Sequence, residues 1–135
     1  MSGADRKYEE KVLRGWEEVY KRGQLTLWVL LALHDSSKRM EEVKRWLKDI
    51  TDNTITAEDR SLYRVLQRFY TAELVTYTSQ SSERGPDQKL YTLSPLGKRV
   101  LARFIDRNIK LFTEPEVQGL LLEASQGNAP AISSK

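Results

Sequence analysis

Residues 74–95 read LVTYTSQSSERGPDQKLYTLSP, and the fold turns on this stretch. Two runs rich in β-branched and aromatic residues, Leu74-Val75-Thr76-Tyr77-Thr78 and Lys89-Leu90-Tyr91-Thr92-Leu93, flank a polar segment that holds Gly85 and Pro86. Runs of this kind separated by turn residues predict two strands with a long tip between them, a β-hairpin. Ser94-Pro95 then opens a helix, serine as cap and proline where its missing N–H costs nothing. Leu96, Val100, Leu101, Phe104, Ile105, Leu111 and Phe112 carry the apolar face of that helix to about residue 112.

Upstream of the hairpin the apolar period is helical. Leu62, Val65, Leu66 and Phe69 form one stripe, and Thr56-Ala57-Glu58-Asp59 ahead of them is close to a capping box. A preceding helix over about 38–50 places Met40, Val43, Trp46, Leu47 and Ile50 on one face, between turns at Asp35-Ser36-Ser37 and Thr51-Asp52-Asn53-Thr54. Gln24 to Leu33 is almost wholly apolar and predicts a buried helix. Residues 5–22 predict an amphipathic helix with Tyr8, Val12, Trp16, Val19 and Tyr20 on its stripe, ended by Gly23. That stripe docks on its own domain or on a partner subunit; the pattern favours neither. After the hairpin, Thr113-Glu114-Pro115-Glu116 caps a short helix with Val117, Leu120, Leu121 and Leu122, and a frayed tail follows Ser125. Three short helices running directly into a hairpin give a mainly α chain with a small β-hairpin (α+β). This is the layout of a winged helix-turn-helix with extra terminal helices.

Composition removes other classes. The chain has 135 residues, enough for one domain with a real core. No cysteine is present, so disulfides and thiolate zinc sites are excluded, and a single histidine, His34, leaves no catalytic triad or histidine cluster to assemble. His34 ends an apolar helix and reads as structural or as a cap. No metal and no cofactor is expected. The glycines are scattered singly, without a phosphate loop, and the carboxylates lie on charged helical faces, so the chain is expected not to be an enzyme. The longest apolar run, Leu25–Leu33, is well short of the ~20 residues of a membrane span. The N-terminus is charged where a signal peptide is apolar. A cytoplasmic protein without a membrane partner is the expectation.

The net charge of +3 decides little as a total. It divides into +1 over residues 1–23, 0 over 24–73, +4 over 74–112 and −2 over 113–135. Within the neutral part, Arg60, Arg64 and Arg68 recur every four residues opposite the Leu62/Val65/Leu66/Phe69 stripe. Like charges at this spacing repel, whereas an arginine column suits a groove of DNA, where a guanidinium grips phosphate or the guanine edge with two hydrogen bonds. Thr56 and Ser61 add hydroxyl donors. Glu58 and Asp59 oppose phosphate and are assigned to the helix dipole. In the hairpin, Arg84, Gly85 and Lys89 form a small basic wing suited to backbone or minor groove. The last long helix carries Arg103 and Arg107 as further backbone candidates, against a plain reading as a solvated face.

Three segments together resemble the PadR family of bacterial transcriptional regulators. They are Gly23-Gln24-Leu25 with Leu30-Leu31-Ala32-Leu33, the LYRVLQRF run at 62–69, and GPDQKLYTLSPLG at 85–97. Lys38-Arg39-Met40 stands where the family has a Tyr-Gly pair, and Glu73 where it has glycine. The resemblance implies that Tyr63 belongs to the DNA-reading helix. It further implies a homodimer built by the terminal helices, through Tyr8, Val12, Trp16, Val19, Tyr20, Leu101, Phe104, Ile105, Leu111 and Phe112. That dimer would bind an inverted-repeat operator on double-stranded DNA, usually as a repressor, at the bacterial nucleoid. The corresponding division is 1–23 dimerisation helix, 24–94 DNA-binding domain, 95–125 dimerisation helices and 126–135 tail. The added N-terminal helix is also similar in layout to a cyanobacterial circadian member, which implies an action on clock-gene expression. A winged-helix module that binds protein rather than DNA is the alternative. Effector sensing through Trp16, Trp28 and Trp46 has only their number behind it.

Overall fold

The computed structural model describes residues 2–127, so most of the expected tail, 128–135, lies outside the described residues. The elements are α1 (Gly3–Asp35), β1 (Lys38–Arg39), α2 (Met40–Ile50), α3 (Asp59–Thr71), β2 (Val75–Gln80), β3 (Gln88–Leu93), α4 (Pro95–Asn108), a 3-10 turn (Lys110–Thr113) and α5 (Pro115–Ser125). The chain divides into two compact units, one ending at Leu101 and one beginning at Ala102. A mostly helical chain with one small antiparallel sheet is what the sequence predicts.

The first unit is built around α1, α2 and α3. Their stripes meet in a core of Val29, Leu30, Ala32 and Leu33 from α1, Val43 and Leu47 from α2, and Leu62, Val65, Leu66 and Phe69 from α3. Full burial of such side chains is worth roughly 1.5–3 kcal/mol each before ordering costs. The hairpin closes one side of this core. Val75 pairs with Leu93 and Tyr77 with Tyr91, and the inward positions Val75, Tyr91 and Leu93 are buried.

Four expectations are corrected. Gly23 does not end a helix: α1 runs unbroken for 33 residues, since lone glycine costs a helix only about 1 kcal/mol and the packing downstream holds it. The sheet has three strands in the order β1-β3-β2, because Lys38 and Arg39 pair with Tyr91 and Leu90. Two residues are too few for periodicity to show. Helix α3 starts at Asp59 rather than at Thr56, with Glu58 in the cap position and no side-chain cap bond. Ile50, placed on the buried face of α2, is 57% exposed in the last turn.

Other junctions follow their local chemistry. Both α2 and α3 end in Schellman turns, with Asn53 N–H donating to the Lys48 carbonyl (2.8 Å) and Leu74 N–H to the Phe69 carbonyl (2.9 Å). The left-handed positions these turns require are filled by Asp52 and by Glu73 (φ 64°). Glu73 therefore sits where glycine would be unstrained. Ser94 caps α4 as expected, its Oγ accepting from the Gly97 N–H at 2.9 Å and donating to the Glu73 carbonyl at 2.7 Å. Gly97 packs so closely that a Cβ there would run into the Leu74 carbonyl oxygen.

In the second unit, the 3-10 turn packs on α5. Glu114, not Thr113, takes the cap position of α5, with Pro115 following it. The Thr113 hydroxyl instead donates to the Lys110 carbonyl at 2.7 Å.

Candidate nucleic-acid interface

An α-helix advances 100° per residue, so the four buried residues of α3 fix what its opposite side presents. Arg60, Arg64 and Arg68 all emerge exposed there, beside Ser61 and Gln67. None of the three guanidiniums lies within salt-bridge distance of a carboxylate among the described residues. Gln67, three residues after Arg64, leaves no mark in the sequence because a lone amide carries no charge pattern. Its amide suits an adenine edge.

The acids that complicate this face are partly accounted for. Asp59 Oδ1 accepts from Lys44 Nζ at 2.9 Å, an ion pair between α3 and α2 that offsets its charge and raises the lysine's pKa. Glu58 caps by backbone only, so the sequence assignment of both acids to the helix terminus holds for position rather than for a side-chain bond. Thr56 is exposed in the loop before α3 instead of on its first turn.

The wing is the hairpin β2–β3 with a tip over residues 81–87. Arg84 is exposed, and Gly85 adopts φ 123°, a conformation closed to other residues, which explains the glycine as the means of turning the tip. Lys89 does not extend outward. It shares the inward side of β3 with Tyr91 and Leu93, and its ammonium lies 4.5 Å from the Tyr77 ring and 6.0 Å from the Tyr63 ring. Tyr63, 46% exposed, is thereby one link between α3 and the wing, and Tyr70 of α3 is another. The Tyr77 ring packs at a tilt against Tyr70, with centroids 4.8 Å apart, and against Tyr91 at 5.8 Å. Burial pushes the Tyr91 phenol above its ordinary range.

Strand β1 adds a second brace. The Arg39 Nη1 donates to Gln88 Oε1 at 3.1 Å, and the Arg39 backbone and Nε both donate to Glu42 Oε1. The start of α2 is thus tied to the wing at the tip end of β3. The Arg39 side chain, followed by its backbone N–H, holds the Glu42 carboxyl below its usual range.

This geometry is that of a winged helix, and the family model for the transcriptional regulator PadR-like family matches residues 29–103. The chain belongs to the PadR-like family. Solved structures agree on the fold. A PadR family regulator from Eggerthella lenta superimposes with a TM-score of 0.69 at 21% identity, covering 87% of this chain and 97% of that one. Bacillus subtilis PadR, solved in complex with operator DNA, gives 0.57 at 18% identity, covering 79% and 60%. The circadian clock associated protein Pex from Anabaena gives 0.52 at 21% identity, covering 69% and 84%. No curated protein matches the chain.

The remaining sequence candidates of this PadR-like chain fall into separate places. Tyr8, Val12, Trp16, Val19 and Tyr20 are 52–69% exposed along α1. Phe104, Leu111 and Phe112 are 42–44% exposed, and Ile105 is half-buried. Leu101 is 4% exposed and belongs to the protomer's own core, so it has no surface left for a partner. Arg103 and Arg107 are exposed on α4. The three tryptophans do not share a pocket. Trp16 is exposed, Trp28 donates to Gln24 Oε1, and Trp46 lies under the Lys38 ammonium. Among the described residues no cluster suits a metal ion, and no helix is long and apolar enough to cross a membrane.

Proposed function

We propose that the chain is a dimeric, sequence-specific regulator of transcription that binds double-stranded DNA through α3 in the major groove and the wing on flanking backbone or minor groove. The observation that carries this reading is the exposed, unpaired Arg60/Arg64/Arg68 column on the side of α3 turned away from its core. Guanidiniums left without carboxylates repel one another and gain most from phosphate or a guanine edge. The operator complex of Bacillus subtilis PadR, a protein of the same fold, supports it.

Dimerisation rests on the exposed stripe of α1, an apolar row that soluble proteins seldom leave bare. Two-fold symmetry then places two α3 helices ~34 Å apart on an inverted repeat. Repression by promoter occlusion, at the nucleoid in the cytoplasm, is the corresponding mode of action. Arg84 contacts the flanking DNA, and Arg103 and Arg107 serve the backbone. The regulated genes, clock genes among them, are read by genomic footprinting of the tagged protein.

The direct test is titration of duplex selected from a random library with wild type, Arg60→Ala and Arg64→Ala. A bidentate guanine contact is worth ~1–3 kcal/mol, so each substitution weakens binding about 5- to 150-fold. Unchanged affinity and salt slope in both would leave the protein-interaction reading in possession of this face.

A further inference from the structure

The arginines of α3 share their side of the protein with a part of α1 that the family match at 29–103 does not include. An open groove of about 1130 Å³ runs between the middle of α1, the loop after α2 and the outer side of α3. Lys21 and Arg22 of α1 line it together with Arg64 and Arg68 of α3. None of these four cations has a carboxylate within salt-bridge distance among the described residues. The groove's acids are Glu18 and Glu58, and its fifth cation, Lys44, is engaged by Asp59. Thr56 and Ser61 bring hydroxyls to the same wall.

Four unpaired cations around one polar groove, with hydroxyls between them, are the contact set of a phosphodiester backbone. Glu18 and Glu58 offset part of their mutual repulsion, and a bound anion offsets the rest. Because α1 is continuous through Gly23, Lys21 and Arg22 are carried on the same rod as the core residues Val29 and Leu30 and are held in place before any ligand arrives. We propose that Lys21 and Arg22 are part of the DNA interface, clamping the backbone of the strand that borders the major groove entered by α3. The proposal rests on the DNA-binding reading given above.

The test is the salt dependence of binding to a mixed-sequence duplex of about 40 base pairs, long enough for two half-sites and their flanks. Three proteins are compared: wild type, K21Q/R22Q, and K7Q/K11Q. The last removes the same charge from an exposed part of the same helix outside the groove. Glutamine keeps helix propensity, and circular dichroism checks the fold. Losing two phosphate contacts lowers the slope of log K against log salt by about 2 per protomer in K21Q/R22Q. Affinity near 0.15 M salt falls about 10-fold or more, while K7Q/K11Q follows wild type. A K21Q/R22Q slope equal to wild type, or an equal fall in both double variants, overturns the proposal. A wild type without salt-dependent duplex binding overturns the DNA reading itself, a result distinct from a binding wild type matched by its groove variant.

Discussion

The Nζ of Lys38 donates to the backbone carbonyl of Ala32 at 2.7 Å, closing the C-terminus of α1 with a side chain from β1. The same ammonium reaches Asp35 Oδ2 and Ser36 Oγ, both at 2.8 Å, and lies 5.4 Å from the Trp46 ring. A helix end leaves carbonyls without partners, and here a lysine only 6% exposed supplies them. Replacing it leaves the Ala32 carbonyl only the longer 3.3 Å bond from the Ser36 N–H and removes the charged bonds to Asp35 and Ser36. Lys38→Met is expected to cost about 1–3 kcal/mol, read as a lowered urea midpoint at unchanged m value.

Acid should weaken the same region. The Asp35 carboxyl is held below its ordinary 3.8 by the Lys38 hydrogen bond, and the Glu42 carboxyl below 4.5 by Arg39. A folded value below the unfolded one gives stability that is present above the unfolded value. It is lost as pH falls through the folded value. Melting temperature should therefore be flat above pH 5 and fall below about 4.5. Asp35→Asn and Glu42→Gln should each flatten that acid limb, and a limb of wild-type steepness in both would refute the assignment.

Opposite results are expected at two positions around Leu74. Glu73 occupies a left-handed turn position, so Glu73→Gly should stabilise by about 1 kcal/mol. Gly97 lies against the Leu74 carbonyl, so Gly97→Ala should destabilise by about 2–3 kcal/mol. Chemical denaturation of both variants settles the pair, since one glycine is gained in the turn that ends α3 and the other is lost from the α4 surface packed against it.

Lys89 and Arg84 separate a stabilising cation from one proposed to contact DNA. With its ammonium over Tyr77 and Tyr63, Lys89→Ala should lower stability by about 0.5–1 kcal/mol. Arg84→Ala, at the exposed tip, should leave stability unchanged and reduce the salt slope of duplex binding by about 1 per protomer. Identical behaviour of the two would contradict the inward placement of Lys89.

The hairpin, the third helix and the Ser94 cap were legible because each has a strong local signal: β-branched runs, a stripe of period 3.6, a serine ahead of proline. What escaped was made by contacts distant in sequence. Strand β1 exists because Tyr91 and Leu90 offer it a ladder, and Lys38 is buried because α1 ends beneath it. Gly23 misled for the same reason, its local cost being overruled by the core that α1 builds downstream. In the candidate site, the arginine column was readable from one helix alone. The groove was not, since it needs residues 21 and 64 side by side.

The unbroken course of α1 has a mechanical consequence. At 1.5 Å per residue its 33 residues make a rod of roughly 50 Å, one end of which is embedded in the packing of α2 and α3. A hinge at Gly23 would let the two ends turn independently. Without one, the aromatic end of α1 and the arginines that α3 presents are carried in one fixed relation, so a partner that seats Trp16 also sets where Arg64 stands.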